Sequence, residues 1–574
     1  RLDAARCDLK ELQIRGGLPV FGASPVDDAR CDLLAALVRV PRGEAPEEQS
    51  FQRALANELG LIDFDPLDCD LGATWTGARP RELERMSTDP WRTNGDTVER
   101  IEAFAISLLR DPAGGAGTAP GPTSRAILAH VAGRIAPDLD ACGARETSAL
   151  LAALDGRFVA PGPSGAPTRG RLDVLPTGRN FYSLDSRALP TPTAWTIGQR
   201  AADAFVARYL QDHGTWPTAI ALSVWGTSNM RTGGDDLAQA LALMGVRPVW
   251  EPASRRVTGF EIMTLAELGR PRVDVTLRIS GFFRDAFPAQ IALIDSAVRA
   301  VSAREDEGCE NPIAAHAAAE TARLIDKGAD AETARRRATF RIYGAMPGAY
   351  GAGLQAMFDE DLWDDAHDLA DAFLTWSGYA YGSETAGAAD RDGLERRIKA
   401  TDAVLHNQDN REHDILDSDD YYQFAGGLAV AGRALKGEAV PVYHGDHSRP
   451  ERPVVRALEE EIARVVRGRA VNPKWIAAMR RHGYKGAFEL AATVDYLTAF
   501  AATTGAVRDH HFDAVYDAYV ADADVRGFIA DANPDALADI AKRLQDAIDR
   551  GLWTPRRNSA YGDLSALRQQ ETVT

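Results

Sequence analysis

The stretch AIALSVWGTSNMRTGGDDLAQALALMGVRPVW, residues 219–250, decides the fold class of this chain. It opens with the short apolar run Ala219–Val224, which predicts a buried strand. A helical pattern follows at Asp235–Met244, with Asp at its start and Gly245 after its end, and Val246–Trp250 then predicts another strand. Strand, helix and strand in alternation predict a doubly wound parallel sheet, in which ligands bind beyond the carboxyl ends of the strands.

The alternation of strands and helices continues across residues 171–310 and is not predicted outside that range. Arg272–Ile279 predicts a further strand and Gln290–Val301 a further helix, so residues 171–310 form an α/β, Rossmann-like region. Residues 1–170 and 311–574 have mainly helical spacing. We therefore expect a multidomain protein of the class α/β plus all-α, with a doubly wound parallel-sheet region between two helical regions.

Composition excludes several classes of function. The 574 residues carry 65 Lys and Arg against 83 Asp and Glu, a net charge of −18, which disfavours nucleic acid as a partner. No run approaches about 18 apolar residues, so we expect no membrane span. The five cysteines are odd in number and never spaced C-x-x-C, which argues against a disulfide framework and favours the reducing cytoplasm. The chain begins with Arg1, and we expect it to be a piece of a longer polypeptide.

The segment His406–Gln423, HNQDNREHDILDSDDYYQ, is the densest in chemically active side chains. Placed on a helix, one face would carry His406, Asp409, His413, Asp417 and Asp420, at steps of 3, 4, 4 and 3. Imidazole with carboxylate suits first-row divalent ions, including cobalt and zinc, and the same groups can accept protons. The alternative is a solvated acidic loop, because Asn and Asp are weak helix formers that favour turns.

Two further stretches suit ligand binding, and each has a simpler alternative. Pro176–Trp195 mixes aromatic rings, prolines and Arg/Asn donors, as an ordered binding loop or a connection between domains would. Trp225–Asp236 offers Asn229 and Arg231 as donors before a helix start, or simply caps that helix.

The pair in His444-Gly-Asp-His447 could ligate metal but better fits a turn or capping role. There is no G-x-x-x-x-G-K-[ST] motif, so ATP, if needed, is bound by a partner.

Four segments together resemble one family. They are PTGRNFYSLD, WGTSNMRTGGDD, SGFFRDAFP and HNQDNREHDILDSDDYYQF, which begin at residues 176, 225, 280 and 406. They resemble the large subunit of aerobic cobaltochelatase (CobN), a family related to the large subunit of magnesium chelatase. The resemblance covers nearly the whole chain and corresponds to roughly the C-terminal half of such a subunit. The family's upstream H-G-T-x-E-W-L-P-G-K type motif is absent from this sequence, so its catalytic residues are not carried over and the chain alone can be inactive.

The resemblance implies ATP-dependent insertion of Co(II) into hydrogenobyrinic acid a,c-diamide in cobalamin biosynthesis. It also implies CobS and CobT partner subunits of the AAA+ type, which supply ATP hydrolysis with Mg. The histidines favour cobalt, since magnesium prefers oxygen ligands. The alternatives are a magnesium chelatase large subunit that inserts Mg(II) into protoporphyrin IX and a non-catalytic tetrapyrrole-binding platform. Without the resemblance, a metal-dependent hydrolase would be a third.

Within that resemblance, particular side chains receive predicted roles. Those that hand over metal or accept protons are His406, Asp409, His413, Asp414 and Asp417, with His406, His413 and Asp417 as the metal ligands. Those that hold the substrate's carboxylates and amides are Arg179, Asn180, Asn229, Arg231 and Arg284. The aromatic rings that pack on the macrocycle are Tyr182 and Trp225.

Overall fold

The computed structural model describes residues 20–111, 120–165, 167–182, 185–410 and 413–571. It divides into two units. The first unit is Arg1–Ser183 with Arg449–Arg452, and the second is Leu184–Ser448 with Pro453–Thr574. Among the described residues, none of the helices combines the length and the apolar character needed to cross a lipid bilayer.

The first unit is mainly helical. Its helices are α1 (Asp27–Leu37), α2 (Phe51–Glu58), α3 (Arg81–Glu84), α4 (Asn94–Arg110), α5 (Pro122–His130) and α6 (Ala136–Leu154). Two short parallel strands pair with each other, β1 (Pro161–Pro163) and β2 (Asn180–Tyr182). Thr93 caps α4 in a reciprocal capping box with Asp96, which satisfies main-chain N–H groups that the first helical turn would leave open. Apolar side chains from α1, α2, α4 and α5 form the core of this unit.

The second unit contains the sheet. Its elements up to the middle of the sheet are α7 (Pro192–His213), β3 (Ala219–Val224), α8 (Gly226–Thr232), α9 (Asp235–Met244), β4 (Val246–Trp250), β5 (Val257–Ile262), α10 (Leu265–Leu268), β6 (Asp274–Ile279), α11 (Gly281–Ala286), α12 (Pro288–Ser302), α13 (Pro312–Asp326), α14 (Ala331–Ala338), β7 (Ile342–Gly344), α15 (Leu354–Asp359) and α16 (Ala366–Ser377).

The remaining elements complete the sheet and add a helical layer. They are β8 (Tyr379–Gly382), β9 (Thr385–Ala389), α17 (Arg391–Ala400), β10 (Ala403–Gln408), α18 (Asp419–Tyr421), α19 (Gly427–Lys436), β11 (Val442–Asp446), β12 (Val454–Ala457), α20 (Leu458–Val465), α21 (Pro473–Arg480), α22 (Gly483–Thr504), α23 (Asp509–Tyr516), α24 (Ala523–Ala532), α25 (Pro534–Asp549) and α26 (Ala560–Glu571). A π-helical turn, Tyr422–Gly426, joins α18 to α19.

The sheet of the second unit has eight strands in the order β12-β11-β10-β3-β6-β7-β8-β9. The five strands from β11 to β7 run parallel, and β12, β8 and β9 are antiparallel to their neighbours. Among the described residues, strands β4 and β5 pair with each other and with no further strand. The fold is therefore mixed α/β with a mostly parallel sheet, as the sequence predicts at that level.

Burial explains why the central strands form where they do. Strands β3, β6 and β10 have six residues each, and every one of these residues is buried. This is expected of parallel strands that are covered on both faces. The predicted helix Asp235–Met244 is confirmed to the residue as α9. It lies between Gly234 and Gly245, whose φ angles of 101° and 75° are left-handed and favour glycine.

The residues after 310, for which the sequence predicts a mainly helical region, also contribute strands β7 to β12 to the sheet. One expectation differs from the structure. The helix predicted for His406–Gln423 is wrong, because His406 lies on strand β10 and helix begins only at Asp419. The physical reason is that Ala403–Gln408 is a fully buried strand whose polar residues fall at its carboxyl end, where they imitate a helical period.

Candidate functional site

The candidate site lies at the carboxyl ends of three adjacent parallel strands of the second unit. Trp225 follows β3, Asp409 follows β10, and β11 ends at Asp446. Ligands of open parallel sheets bind at this edge, because the loops and helix N-termini there carry the exposed polar groups. The polar ends of β10 and β11 are therefore the natural place to look for chemistry.

Two histidines lie side by side at this edge. His406 of β10 and His444 of β11 are aligned in register, and their ring centroids are 5.9 Å apart. The two residues are 3% and 2% exposed. Nδ1 and Nε2 of His406 and Nδ1 of His444 have no hydrogen-bond partner among the described residues. Burial, with His444 close by, lowers the pKa of His406 to about 3, so this imidazole is neutral at pH 7 and able to bind a metal ion.

Aromatic rings enclose His406. The ring of Tyr421 lies 5.0 Å from it and the indole of Trp225 lies 6.3 Å away, both measured between centroids. Phe424, on the π-helical turn, packs on Trp225 at 4.2 Å. The Trp225 Nε1 donor is buried and has no partner among the described residues. The rings of Trp225, Tyr421 and Phe424 therefore form an aromatic wall beside His406. This wall is apolar apart from one available N–H donor, that of Trp225.

A buried arginine lies behind this wall. The Arg278 guanidinium is 4.3 Å from the ring centroid of Phe424 and donates to Ser377 Oγ at 2.9 Å and to the Gly351 carbonyl at 2.8 Å. Burial lowers the pKa of Arg278 to about 9. Its acceptors are neutral, so its charge is compensated only by dipoles and by the aromatic face.

On the opposite face of β10, polar side chains form a buried amide and carboxyl network. Asn407 donates through Nδ2 to Asp236 Oδ1 at 2.9 Å and to Gln239 Oε1 at 2.6 Å, and Asn229 donates to Asp236 Oδ2 at 3.1 Å. Burial raises the pKa of Asp236 to about 7, against the effect of the Asn407 hydrogen bond. This carboxyl can therefore change protonation state near neutral pH.

The predicted donor Arg231 is engaged within the protein. It forms a two-bond pair with Asp409, with Nε–Oδ2 and Nη2–Oδ1 distances of 2.8 and 2.7 Å. The Arg231 side chain remains 34% exposed, whereas Asp409 is buried. Asp409 therefore holds Arg231 in place, and about a third of the Arg231 side chain remains exposed.

The remaining members of the acidic histidine segment lie apart from the imidazole pair. Asp414 forms a two-bond pair with Arg469 at 2.5 and 2.9 Å, and Asp417 Oδ1 lies 3.2 Å from Arg469 Nη1. His413 is exposed, and its carbonyl accepts a hydrogen bond from Gln408. No three His, Cys, Asp or Glu side chains gather as a metal site anywhere in the ranges the structure describes. The predicted ligand set of His406, His413 and Asp417 is thus not brought together.

Other predicted binding residues are also placed. Arg284 donates to the carbonyls of Met346 and Ala349 at 2.8 and 2.9 Å and pairs with Asp285, so it holds a loop. The other three predicted binding residues belong to the first unit and are Arg179, Asn180 and Tyr182. Of these, Asn180 is exposed, Arg179 donates to the Leu175 carbonyl at 3.4 Å, and the Tyr182 side chain lies outside the described part.

Sequence reasoning missed two members of the site. His444 was interpreted as a turn residue, and Glu461 was not considered. The signal for His444 was the apolar start of Val442–Asp446, which resembles the start of β10 and predicts a second buried strand with a polar carboxyl end. Glu461 on α20 carried no signal, because only the fold brings its Oε1 to 3.7 Å from His444 Nε2.

A mostly parallel sheet with an imidazole pair and an aromatic wall at its carboxyl edge defines an α/β protein with a candidate ligand site at the ends of its strands. The family model described as CobN/Magnesium Chelatase matches residues 1–560. The aerobic cobaltochelatase subunit CobN of Sinorhizobium sp is 57% identical over 589 residues, covering 99% of this chain and 46% of that protein. The chain therefore belongs to the CobN/magnesium chelatase family, and it spans about half the length of this relative.

Two further comparisons agree. A solved structure of the catalytic subunit of cobaltochelatase from Mycobacterium tuberculosis matches with a TM-score of 0.88 and 42% identity, covering 100% of this chain and 46% of that one. The magnesium-chelatase H subunit of Rhodobacter capsulatus is 36% identical over 412 residues, covering 71% of this chain and 34% of that protein. The cobalt branch of the family is thus the more similar one.

Proposed function

We propose that this chain is part of the large substrate-binding subunit of an ATP-dependent cobaltochelatase, which inserts Co(II) into hydrogenobyrinic acid a,c-diamide in cobalamin biosynthesis. Partner subunits of the CobS and CobT type bind and hydrolyse ATP with Mg. The observation that carries the proposal is the buried, neutral imidazole of His406, which lies beside Trp225 and Tyr421 and has no hydrogen-bond partner among the described residues.

We also infer that the sheet is doubly wound, with the site at its switch point. From β3, the chain proceeds outward to β6 and β7 on one side, and later to β10 and β11 on the other. Side chains on the two faces of β10 contact different helical layers, since Asn407 bonds to α9 and His406 contacts Tyr421 of α18. A crevice at the carboxyl ends of β3 and β10 is where such sheets bind ligands.

Nitrogen donors favour cobalt over magnesium as the inserted ion. Co(II) accepts imidazole readily, whereas Mg(II) prefers oxygen ligands and retains its waters. The groups around His406 are the rings of Trp225, Tyr421 and His444. The carboxylate of Glu461 lies on the Nε2 side of His444 and is held by Arg464. The greater similarity to cobaltochelatase subunits supports the same choice.

The residues of the site suit the steps of insertion. The ion must lose water, and two pyrrolic protons must leave the macrocycle. Neutral imidazole replaces water on the ion, and Trp225 packs against the macrocycle and offers an N–H donor. Arg231, oriented by Asp409 and partly exposed, is the proposed contact for a carboxylate or amide of the substrate.

Cobalt insertion by a full-length subunit that contains this sequence, assayed with its partner subunits and ATP, tests the proposal. His406→Ala should reduce the rate by about tenfold or more, the range found when a metal-handling contact is lost. His413→Ala is the matched control, because this histidine is exposed and lies outside the aromatic enclosure. An unchanged rate in His406→Ala would contradict the assigned role.

The same assay separates the alternatives. A magnesium chelatase would insert Mg(II) into protoporphyrin IX and leave Co(II) uninserted. A tetrapyrrole-binding platform would bind the corrinoid without turnover under any combination of partners and ATP. Either result would overturn the proposed function.

A further inference from the structure

We propose that His406 and His444 together form a two-imidazole transfer site for Co(II), and that Glu461 is a positioning residue that orients His444. The identity of the ion rests on the proposed function. The existence of the site rests on the geometry of the two rings and their neighbours.

The spacing of the rings fits one shared ion. Residues aligned in adjacent parallel strands project to the same face of a sheet, so both imidazoles point to one side. With metal–nitrogen bonds of about 2.1 Å, two imidazoles on one ion place their ring centroids about 5 to 6 Å apart. The centroids of His406 and His444 are 5.9 Å apart.

The nitrogens that would face the ion are the ones without partners. Both nitrogens of His406 and Nδ1 of His444 are buried and make no hydrogen bond to any described residue. Burying a polar atom without a partner destabilises a fold. An ion bound between the two rings takes one nitrogen of each, so it satisfies two of these three atoms.

The other nitrogen of His444 faces a carboxylate that is itself fixed. Nε2 of His444 lies 3.7 Å from Glu461 Oε1, and Arg464 holds Glu461 with distances of 2.8 and 2.6 Å. At 3.7 Å the carboxylate acts on the ring through its charge and not through a hydrogen bond, and that charge favours the tautomer with the proton on the nearer nitrogen. With the proton on Nε2, the Nδ1 lone pair of His444 is available to the ion.

Two protein ligands are too few to hold an ion permanently, which suits a site that passes the ion to the macrocycle. Structural sites surround the ion with four protein ligands, and no third His, Cys, Asp or Glu joins these two among the described residues. In the proposed transfer, water and then the nitrogens of the macrocycle take the remaining coordination positions. The ion can therefore leave the two imidazoles as ring nitrogens replace them.

Binding of CoCl₂ to the purified chain, followed by calorimetry and by the visible absorption of Co(II), tests the site directly. We expect one ion per chain, and an affinity that falls at least about tenfold in His406→Ala and in His444→Ala. His406→Gln and His444→Gln, which retain polarity and similar size, should give the same loss if an Ala variant is unstable. His413→Ala is the matched control and should bind as the unchanged protein does.

Glu461→Gln gives a second readout. It should weaken binding by about tenfold and shift the Co(II) absorption bands, because the donor strength of His444 changes. Glu461→Asp, which retains the carboxylate, should restore part of the affinity. A purely structural Glu461 would leave the absorption bands of bound Co(II) unchanged, and that result would overturn its assigned role.

Failure of this inference is distinguishable from failure of the proposed function. Cobalt binding that survives His444→Ala, or that is lost in His413→Ala alone, overturns the imidazole pair even if the full complex inserts cobalt. Conversely, binding at the pair in a complex that inserts only Mg(II) would retain the site and reject the cobaltochelatase activity.

Discussion

Replacing Asp414 with Ala distinguishes a structural carboxylate from a metal-handling one. Asp414 holds the buried Arg469 through two hydrogen bonds of 2.5 and 2.9 Å, and its Oδ1 also accepts from the Leu416 N–H at 2.9 Å. Removing one partner of a buried ion pair costs about 3–5 kcal/mol, because the remaining charge is left without compensation. Asp417, 3.2 Å from Arg469, remains as a second carboxylate, which places the expected cost toward the lower end.

The loss is measurable as a change in melting temperature. Unfolding entropy is about 2.1 cal/mol/K per residue, so for a cooperative unit of several hundred residues a loss of 3–5 kcal/mol corresponds to roughly 4–6 °C. Differential scanning calorimetry of Asp414→Ala should show this decrease while cobalt affinity stays unchanged. His413→Ala, which removes an exposed side chain of the same segment, is the control and should melt within about 1 °C of the unchanged chain.

A double substitution tests the reasoning about charge. Asp414→Ala with Arg469→Met removes both charged partners, and the combined loss should be smaller than the sum of the two single losses. The account is refuted if Asp414→Ala melts like the unchanged protein and binds cobalt tenfold more weakly. Asp414 would then belong to the metal-handling residues first expected from the sequence.

Three further outcomes are expected. Trp225→Phe removes the buried indole N–H and should weaken tetrapyrrole binding by about 2- to 10-fold in a fluorescence-quenching titration, and equal affinity would count against the wall. Because burial raises the pKa of Asp236 to about 7, the folded state binds more protons between about pH 4 and 7, and stability should fall as pH rises through that window. Asp236→Asn should flatten the melting temperature between pH 5 and 8, and parallel profiles would contradict this. Gly486→Ala would place a Cβ well inside contact distance of the Met479 carbonyl and should destabilise the fold by about 1–3 kcal/mol in chemical denaturation, whereas no loss would mean that the helices can separate.

Local pattern predicts the first half of the sheet well. The apolar run of β3, the capped helix α9 and the strand of β6 each carry their signal within a few residues. β10 carries a misleading one, since its polar residues and those of the following loop are spaced 3 and 4 apart. A buried strand that ends in polar side chains and a helix face of polar side chains are not distinguished by periodicity alone.

The partners within the site depend on the fold and not on the local sequence. Arg231 and Asp409 are 178 positions apart, yet they form a two-bond pair. The alignment of His406 with His444 follows from the register of two parallel strands. Sequence reasoning could identify His406 as chemically competent, but its neighbour required knowledge of which strands are adjacent.

The charged groups near the site are already paired within the protein, whereas several neutral nitrogens are not, and this difference bears on how the site works. Charged residues predicted to bind ligands are paired inside the protein, as in Arg231 with Asp409 and Arg284 with Asp285. Around the imidazole pair, the buried polar atoms without partners in the described part of the chain include neutral nitrogens of His406, His444 and Trp225. Several carboxylates around the ion would bind Mg(II) tightly through their charge and would slow its release. In the proposed function, neutral nitrogens would offer a divalent first-row ion the same kind of donor atom that the macrocycle offers. Ligand exchange would then proceed between similar donors, without separating a strongly bound ion from opposite charge.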